Sequence, residues 1–162
     1  MELKLTSPAF QDGQLLPARF TYDGANLSPP LAWENVTEGT RELAIVCEDT
    51  DFPVRSASDD HPCVHWVVYG VSPGRTSLPE GGLLGATPRG QNSFGELGYR
   101  GPEQAADLGE RRLLFRIFAL DTELGLPPGV TRDELFAAME GHLLNEGLLI
   151  GVYGVVPKRI AA

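Results

Sequence analysis

Glycine and proline punctuate this chain from end to end, 19 of one and 13 of the other in 162 residues, and do not gather at a boundary that would divide it. A helix bundle does not tolerate that distribution, because an interior glycine costs about 1 kcal/mol and an interior proline about 3 kcal/mol. The spacing cuts the chain into short extended runs joined by long turns. Four runs read as strands: residues 42–48, 64–71, 112–120 and 148–156. In the first, Leu43, Ile45 and Cys47 alternate with Ala44 and Val46, so both faces require burial and the strand belongs at the centre of a sheet. In the third, Leu113, Phe115, Ile117 and Ala119 share one face and Arg112 and Arg116 take the other, so only one side meets the core.

One good helix is expected near residues 131–146. Thr131 can cap it, with Glu134 reaching back to close a capping box. Leu135, Met139 and Leu143 then form an apolar stripe, and Gly147 is a plausible terminator. Strands with long Gly/Pro-rich connections and a late helix predict a mainly β fold, an antiparallel sandwich with a few short helices. No repeat, linker or composition shift divides the chain, which is read as one domain over residues 1–162. No G-x-G-x-x-G turn joins a strand to a helix. The glycines at 81, 82, 85 and 90 lead to no Gly-Lys-Ser/Thr, and nucleotide-binding folds are disfavoured.

With 22 acidic against 13 basic residues the net charge is −9, which repels phosphate backbones and anionic lipid surfaces. Nucleic acid is not an expected partner. Neither a lipidation signal nor a basic amphipathic helix argues for stable membrane attachment. The first residues hold no apolar stretch long enough for a signal peptide, and the expected location is cytoplasmic. Cys47 and Cys63 form no C-x-x-C motif. Reduced thiols are the default, and a single disulfide between neighbouring strands stays open.

Three stretches carry candidate chemistry. In Asp49-Thr50-Asp51-Phe52-Pro53 an apolar strand ends in two carboxylates at i, i+2 and a proline that breaks the ladder. A solvated turn is the plain reading of such residues; a strand end delivering a carboxylate and a rigid wall into a pocket is the functional one. In His61-Pro62-Cys63-Val64-His65-Trp66, alternation puts His61, Cys63 and His65 on one face. That donor set suits zinc or copper, yet three ligands on one strand do not make a familiar tetrahedral site, and no metal or other cofactor is expected. His65 is better read as a polar group at a strand mouth within reach of an anion, its alternative being a satisfied core histidine. In Gly98-Tyr99-Arg100-Gly101-Pro102, glycines permit close backbone approach and Arg100 supplies a forked donor for an oxyanion.

Taken in order, these stretches resemble the phosphatidylethanolamine-binding protein (PEBP) family, in particular its bacterial and archaeal, Raf-kinase-inhibitor-like branch. The resemblance covers nearly the whole chain. Ser7-Pro8-Ala9-Phe10 and the segment Tyr22-Asp23-Gly24-Ala25-Asn26-Leu27-Ser28-Pro29-Pro30-Leu31 are similar to the family's opening. Asp49-Thr50-Asp51-Phe52-Pro53 is similar to its Asp-Pro-Asp-x-Pro signature and His65-Trp66 to its His-Trp pair. Gly101-Pro102 and Met139-Glu140-Gly141-His142-Leu143-Leu144, the latter similar to the helix typical of this branch, complete the series. The resemblance implies a large β-sandwich with a surface cavity for phosphate, acetate or a phosphorylated head group. Asp49, Asp51, Pro53 and His65 would line the cavity, with the Gly101 N–H and Pro102 closing it. A cis bond at Phe52-Pro53 is part of the same expectation.

Two departures stand out. Thr50 replaces the family's usual proline. The family's Gly-x-His-Arg-Tyr segment reads Gly109-Glu110-Arg111-Arg112-Leu113, so Arg111 stands where a pocket histidine is expected. A permanent donor at Arg111 still suits an anion, without the two-histidine form. A polar insert, residues 54–62, borders the signature.

The expected function is non-enzymatic binding of a small anion or phosphorylated ligand, with modulation of a kinase or protease as the resemblance implies. Binding is expected to strengthen as His65 gains a proton, and so to be tighter near pH 6 than near pH 8. One alternative is a hydrolase using a His–Asp pair, with Ser93 the nearest nucleophile although it misses the G-x-S-x-G elbow by one residue. The other is a protein-interaction module that docks a partner segment, with a homodimer through the exposed sheet or helix.

Overall fold

The computed structural model describes residues 2–49, 63–82, 89–103 and 110–154. In chain order the elements are β1 (Lys4–Thr6), β2 (Gln14–Leu15), β3 (Leu31–Glu34), β4 (Glu42–Asp49), β5 (Cys63–Val71), β6 (Ser77–Leu78), β7 (Arg111–Leu120), α1 (Arg132–Met139) and β8 (Leu143–Tyr153), with a 3-10 turn at Ala18–Phe20. The fold is mainly β, as expected. A five-stranded sheet runs β2-β8-β7-β4-β5 and a three-stranded sheet runs β1-β3-β6. The pairings are antiparallel except for the two-residue parallel contact of β2 with β8.

β4 occupies the interior position that its two apolar faces require, flanked by β7 and β5, and all eight of its residues are buried. Leu43, Ile45 and Cys47 join Leu113, Phe115 and Ile117 of β7 and Leu5, Leu31, Trp33 and Leu78 of the small sheet in one core. Ala44 and Val46 turn the other way, into a second core with Phe118, Val130 and the helical Leu135 and Met139. The large sheet is thus the middle layer of three. Each fully buried Leu, Ile or Phe contributes about 1.5–3 kcal/mol, and both faces of one sheet share the gain.

The helix starts as the capping box predicts. The Thr131 side chain accepts from the Glu134 N–H, and the Glu134 carboxylate accepts from the Thr131 N–H. Its end corrects the sequence reading, because it stops at Met139 and not near 146. Gly141 sits at φ +84°, where a side chain is strained, and His142 N donates to Met139 O at 2.9 Å, closing the last turn. Leu143, expected on the helical stripe, is the first residue of β8 and 45% exposed. Gly147 therefore terminates nothing. A Cβ there would lie 2.2 Å from the Leu3 carbonyl oxygen, and its absence lets the N-terminal segment cross β8 closely. β8 likewise begins five residues earlier than predicted, and residues 155–156 lie outside the described residues.

One irregularity bears on the site. Along the β4–β5 ladder Cys47 faces Trp66 and Glu48 faces Val64, which leaves His65 as the extra residue of a β-bulge. A bulge re-aims a side chain. Here it lets Trp66 enter the core while His65, counted from Cys63 on its other side, keeps the face that Asp49 shares.

Candidate functional site

β4 ends, β5 and β7 begin, and β8 finishes at the same end of the large sheet, since Asp49 pairs with Cys63 and Arg111 with Tyr153. The topology therefore delivers Asp49, His65, Arg111 and Tyr153 to one region on the core-facing side. Asp49 is fully buried, and the Tyr153 hydroxyl donates to its Oδ2. Arg111 is 3% exposed, lies over the Tyr153 ring with Cζ 4.7 Å from the centroid, and donates from Nη2 to Glu103 O at 3.3 Å. The residue in the expected histidine's place thus points inward, not to solvent.

His65 is 1% exposed. Its Nδ1 lies 2.7 Å from Arg100 O, and Arg100 N donates back to His65 O at 3.0 Å. A carbonyl can only accept, so Nδ1 carries the proton and Nε2 is left with a lone pair. Nε2 is buried and has no hydrogen-bond partner among the described residues. Burial lowers the ring's pKa from 6.5 to about 4, with the bond to Arg100 O pulling upward and the charges of Arg111 and Arg100 adding to the fall. Protonation between pH 8 and pH 6, expected from sequence to strengthen binding, does not occur in this setting.

That shift has a consequence for stability. Between pH 6.5 and about 4 the unfolded chain takes up a proton on this histidine and the folded chain does not. Acidification therefore favours unfolding, by up to about 1.4 kcal/mol per pH unit from this group alone. Urea denaturation across that interval should show a shallower loss of stability in His65→Gln, and equal slopes in the two chains would refute the assignment.

The loop before β7 closes the region. The Arg100 guanidinium lies over the rings of Tyr22 and Phe94, with Cζ 4.0 and 4.3 Å from the centroids, and pairs with Glu96 at 3.3 Å and Glu103 at 3.9 Å. Its Nε is buried without a hydrogen-bond partner among the described residues. Phe94 also lies beside His65, ring centroids 5.8 Å apart. The Gly101 N–H, expected to face a ligand, instead donates to Asn26 Oδ1 at 2.7 Å, and Pro102 O accepts from Tyr22 N at 2.9 Å. Gly101 and Pro102 thus strap the loop to residues 20–26.

Of the residues predicted for the site, the structure brings together Asp49, His65, Arg100 and Arg111, with Gly101 and Pro102 as supports. Asp51, Pro53, the 52–53 peptide bond and the 54–62 insert lie outside the described residues, as does His61. No group of three or more His, Cys, Asp or Glu among the described residues is placed to hold a metal ion. Cys47 and Cys63 are not in a disulfide. No described helix is long and apolar enough to cross a membrane. Sequence reasoning missed Tyr153, Tyr22, Phe94 and Asn26. Asn26 carries one signal, an Asn at φ 58° in a Gly-Ala-Asn turn.

Comparison with known proteins gives a consistent answer. The family model for phosphatidylethanolamine-binding protein matches residues 6–154. The UPF0098 protein of Methanothermobacter thermautotrophicus is 40% identical over 156 residues, covering 93% of this chain and 98% of its own. The corresponding protein of Chlamydia muridarum is 36% identical over 151 residues, covering 93% and 98%. Among solved structures, the PEBP homologue CT736 of Chlamydia trachomatis superposes with a TM-score of 0.84 at 34% identity, covering 94% of this chain and 97% of that one. YbcL of E. coli, described as a member of the mammalian PEBP family, shares the fold with a TM-score of 0.83 at 24% identity, covering 96% and 100%. A match that runs through both sheets, repeated in sequence relatives and in three-dimensional form, means that this chain belongs to the phosphatidylethanolamine-binding protein family.

Proposed function

We propose that the protein is a non-enzymatic binder of a small oxyanion or phosphorylated group, held at the end of the large sheet between His65, Asp49, Arg100 and Arg111. The observation that carries this reading is the buried Nε2 of His65, without a partner among the described residues, next to two guanidinium groups in a chain of net charge −9. Buried polar atoms are nearly always satisfied, so an orphan of this kind marks the place of a missing partner. Arginine pairs with oxyanions through a forked, charge-assisted geometry, and aromatic stacking on Tyr22 and Phe94 holds one of these forks in place.

The arrangement favours binding over hydrolysis. Ser93, the nucleophile considered from sequence, has its hydroxyl oxygen engaged by the Val64 N–H at 2.7 Å, and His65 Nε2 has no hydroxyl within hydrogen-bond reach among the described residues. A base without a nucleophile in reach lacks the geometry that activation requires.

Titration of the labelled protein with phosphorylethanolamine, followed by NMR at the His65 ring and the Arg100 amide, tests the reading. Saturable shifts are expected at both, with affinity at least about tenfold weaker in Arg111→Ala, the loss of one charge-assisted hydrogen bond. An unchanged spectrum at about millimolar ligand would remove the anion site from consideration.

A further inference from the structure

We propose that the site takes its oxyanion in a protonated form, a phosphoryl group that still carries one P–OH, and discriminates against sulfate. The proposal rests on the reading of this region as an anion site and adds the chemistry of what it selects. The hydrogen bond from His65 Nδ1 to Arg100 O fixes the tautomer, so Nε2 offers a lone pair and nothing else. The second buried acid–base group, Asp49, accepts from the Tyr153 hydroxyl at Oδ2. Against these stands a donor, the buried Arg100 Nε–H, which has no hydrogen-bond partner among the described residues, with its guanidinium on the Phe94 ring that His65 also flanks.

A ligand that satisfies both kinds of orphan must accept at one oxygen and donate at another. The monoanion of a phosphate monoester does so: an ionised oxygen meets the guanidinium, and the P–OH points at Nε2. Sulfate presents acceptors only, and would set one lone pair against another in a buried site. An ammonium donor would satisfy Nε2 but meets Arg100 and Arg111.

Among the described residues, the charged and titratable groups around His65 are Cys47 and Asp49 from β4, Cys63 on its own strand, Arg111 from β7, Tyr153 from β8, and Arg100 with its partners Glu96 and Glu103 from the loop. Burial, with the charges of Arg111 and Arg100 adding to it, keeps the ring neutral down to about pH 4. The proton that changes hands near neutrality is therefore the ligand's. A monoester loses it with a pKa of about 6.

The test uses the full chain labelled with nitrogen-15 and two probes, methyl phosphate and sulfate, titrated at about pH 5.5 and about pH 7.5. Methyl phosphate should bind at least about tenfold more tightly than sulfate at the lower pH, the factor that accompanies one unsatisfied buried acceptor. Its apparent affinity should fall at least about tenfold between the two pH values as the monoanion is depleted. The Nε2 resonance should stay in the unprotonated range in the complex. Equal binding of sulfate and methyl phosphate with Nε2 protonated in both complexes would overturn the proposal and leave the anion site standing. The absence of saturable shifts with either probe would overturn both.

Discussion

Replacing Glu48 by alanine is expected to destabilise the fold by about 3–5 kcal/mol, the cost of stripping a buried ion pair of one partner. Glu48 is 1% exposed and faces away from the candidate site, on the helix side of the sheet. Its Oε1 accepts from Arg116 Nη1 at 2.7 Å and its Oε2 from Arg132 Nε at 2.5 Å, so one carboxylate joins β4, β7 and the first residue of α1. The helix has only eight residues and buries only Leu135 and Met139 among them, which is little apolar surface for holding it to the sheet. Phe136 adds to the link, with Arg132 Cζ at 4.3 Å and Arg116 Cζ at 5.5 Å from its ring.

The lower end of that range is favoured because the two arginine side chains keep 27% and 20% of their exposure, and each retains a second carboxylate, Glu146 at 3.6 Å and Asp133 at 3.1 Å. A control separates the penalty of a broken pair from the worth of the pair itself. Exchanging Glu48, Arg116 and Arg132 together for Leu, Met and Met should cost far less than Glu48→Ala alone. Chemical denaturation measures both, and a loss below about 1 kcal/mol for Glu48→Ala would show that the network is solvated and of little consequence.

The parts of this fold that were legible in the sequence are those whose burial leaves a period. β4 reads as a central strand because no face of it is polar; β7 reads as one-sided because Arg112 and Arg116 interrupt the apolar alternation, and there the structure corrects the reading, since Phe118 and Leu120 on that second face are buried in the helix-side core. The short strands β1, β2, β3 and β6 run two to four residues each, too few for a period to show, and none was predicted. The helix was overextended because Leu143 continues the spacing of Leu135 and Met139 by coincidence. Gly141, which the fold holds at positive φ, is the terminator, six residues before Gly147.

The candidate site divides in the same way. Asp49 and His65 stand at strand ends, where a change from apolar to ionisable residues is visible in one dimension. Tyr153 reaches Asp49 across 104 positions of sequence, and Tyr99 reaches Phe20 O across 79, contacts that local patterning does not encode. The bulge that turns His65 was also hidden, since it depends on a register shift between two strands and not on either strand alone.

Gly101→Ala is expected to disable the site while Gly82→Ala, a chemically identical change nearby, leaves it intact. A Cβ on Gly101 would fall 2.2 Å from Phe20 O and 2.9 Å from both the carbonyl carbon and the Cα of Thr21. All three are backbone atoms, so no rotamer change relieves the clash and residues 20–22 must move as a unit. That movement opposes three hydrogen bonds spanning the same gap: Gly101 N to Asn26 Oδ1 at 2.7 Å, Tyr22 N to Pro102 O at 2.9 Å, and Tyr99 Oη to Phe20 O at 2.6 Å. Overpacking of this kind costs about 1–3 kcal/mol, and each hydrogen bond lost adds about 1 kcal/mol. Tyr22 moves with the segment and leaves the Arg100 guanidinium it stacks on, so the donor fork loses its placement. Oxyanion affinity should then drop at least about tenfold in molecules that remain folded. Among the described residues nothing lies within 4 Å of a would-be Cβ on Gly82, and its substitution should change stability by no more than about 0.5 kcal/mol. Denaturation midpoints and a methyl phosphate titration of the two variants decide the matter. A Gly101→Ala protein as stable and as well bound as the Gly82→Ala protein would mean that residues 20–26 are not the strap that shapes this site.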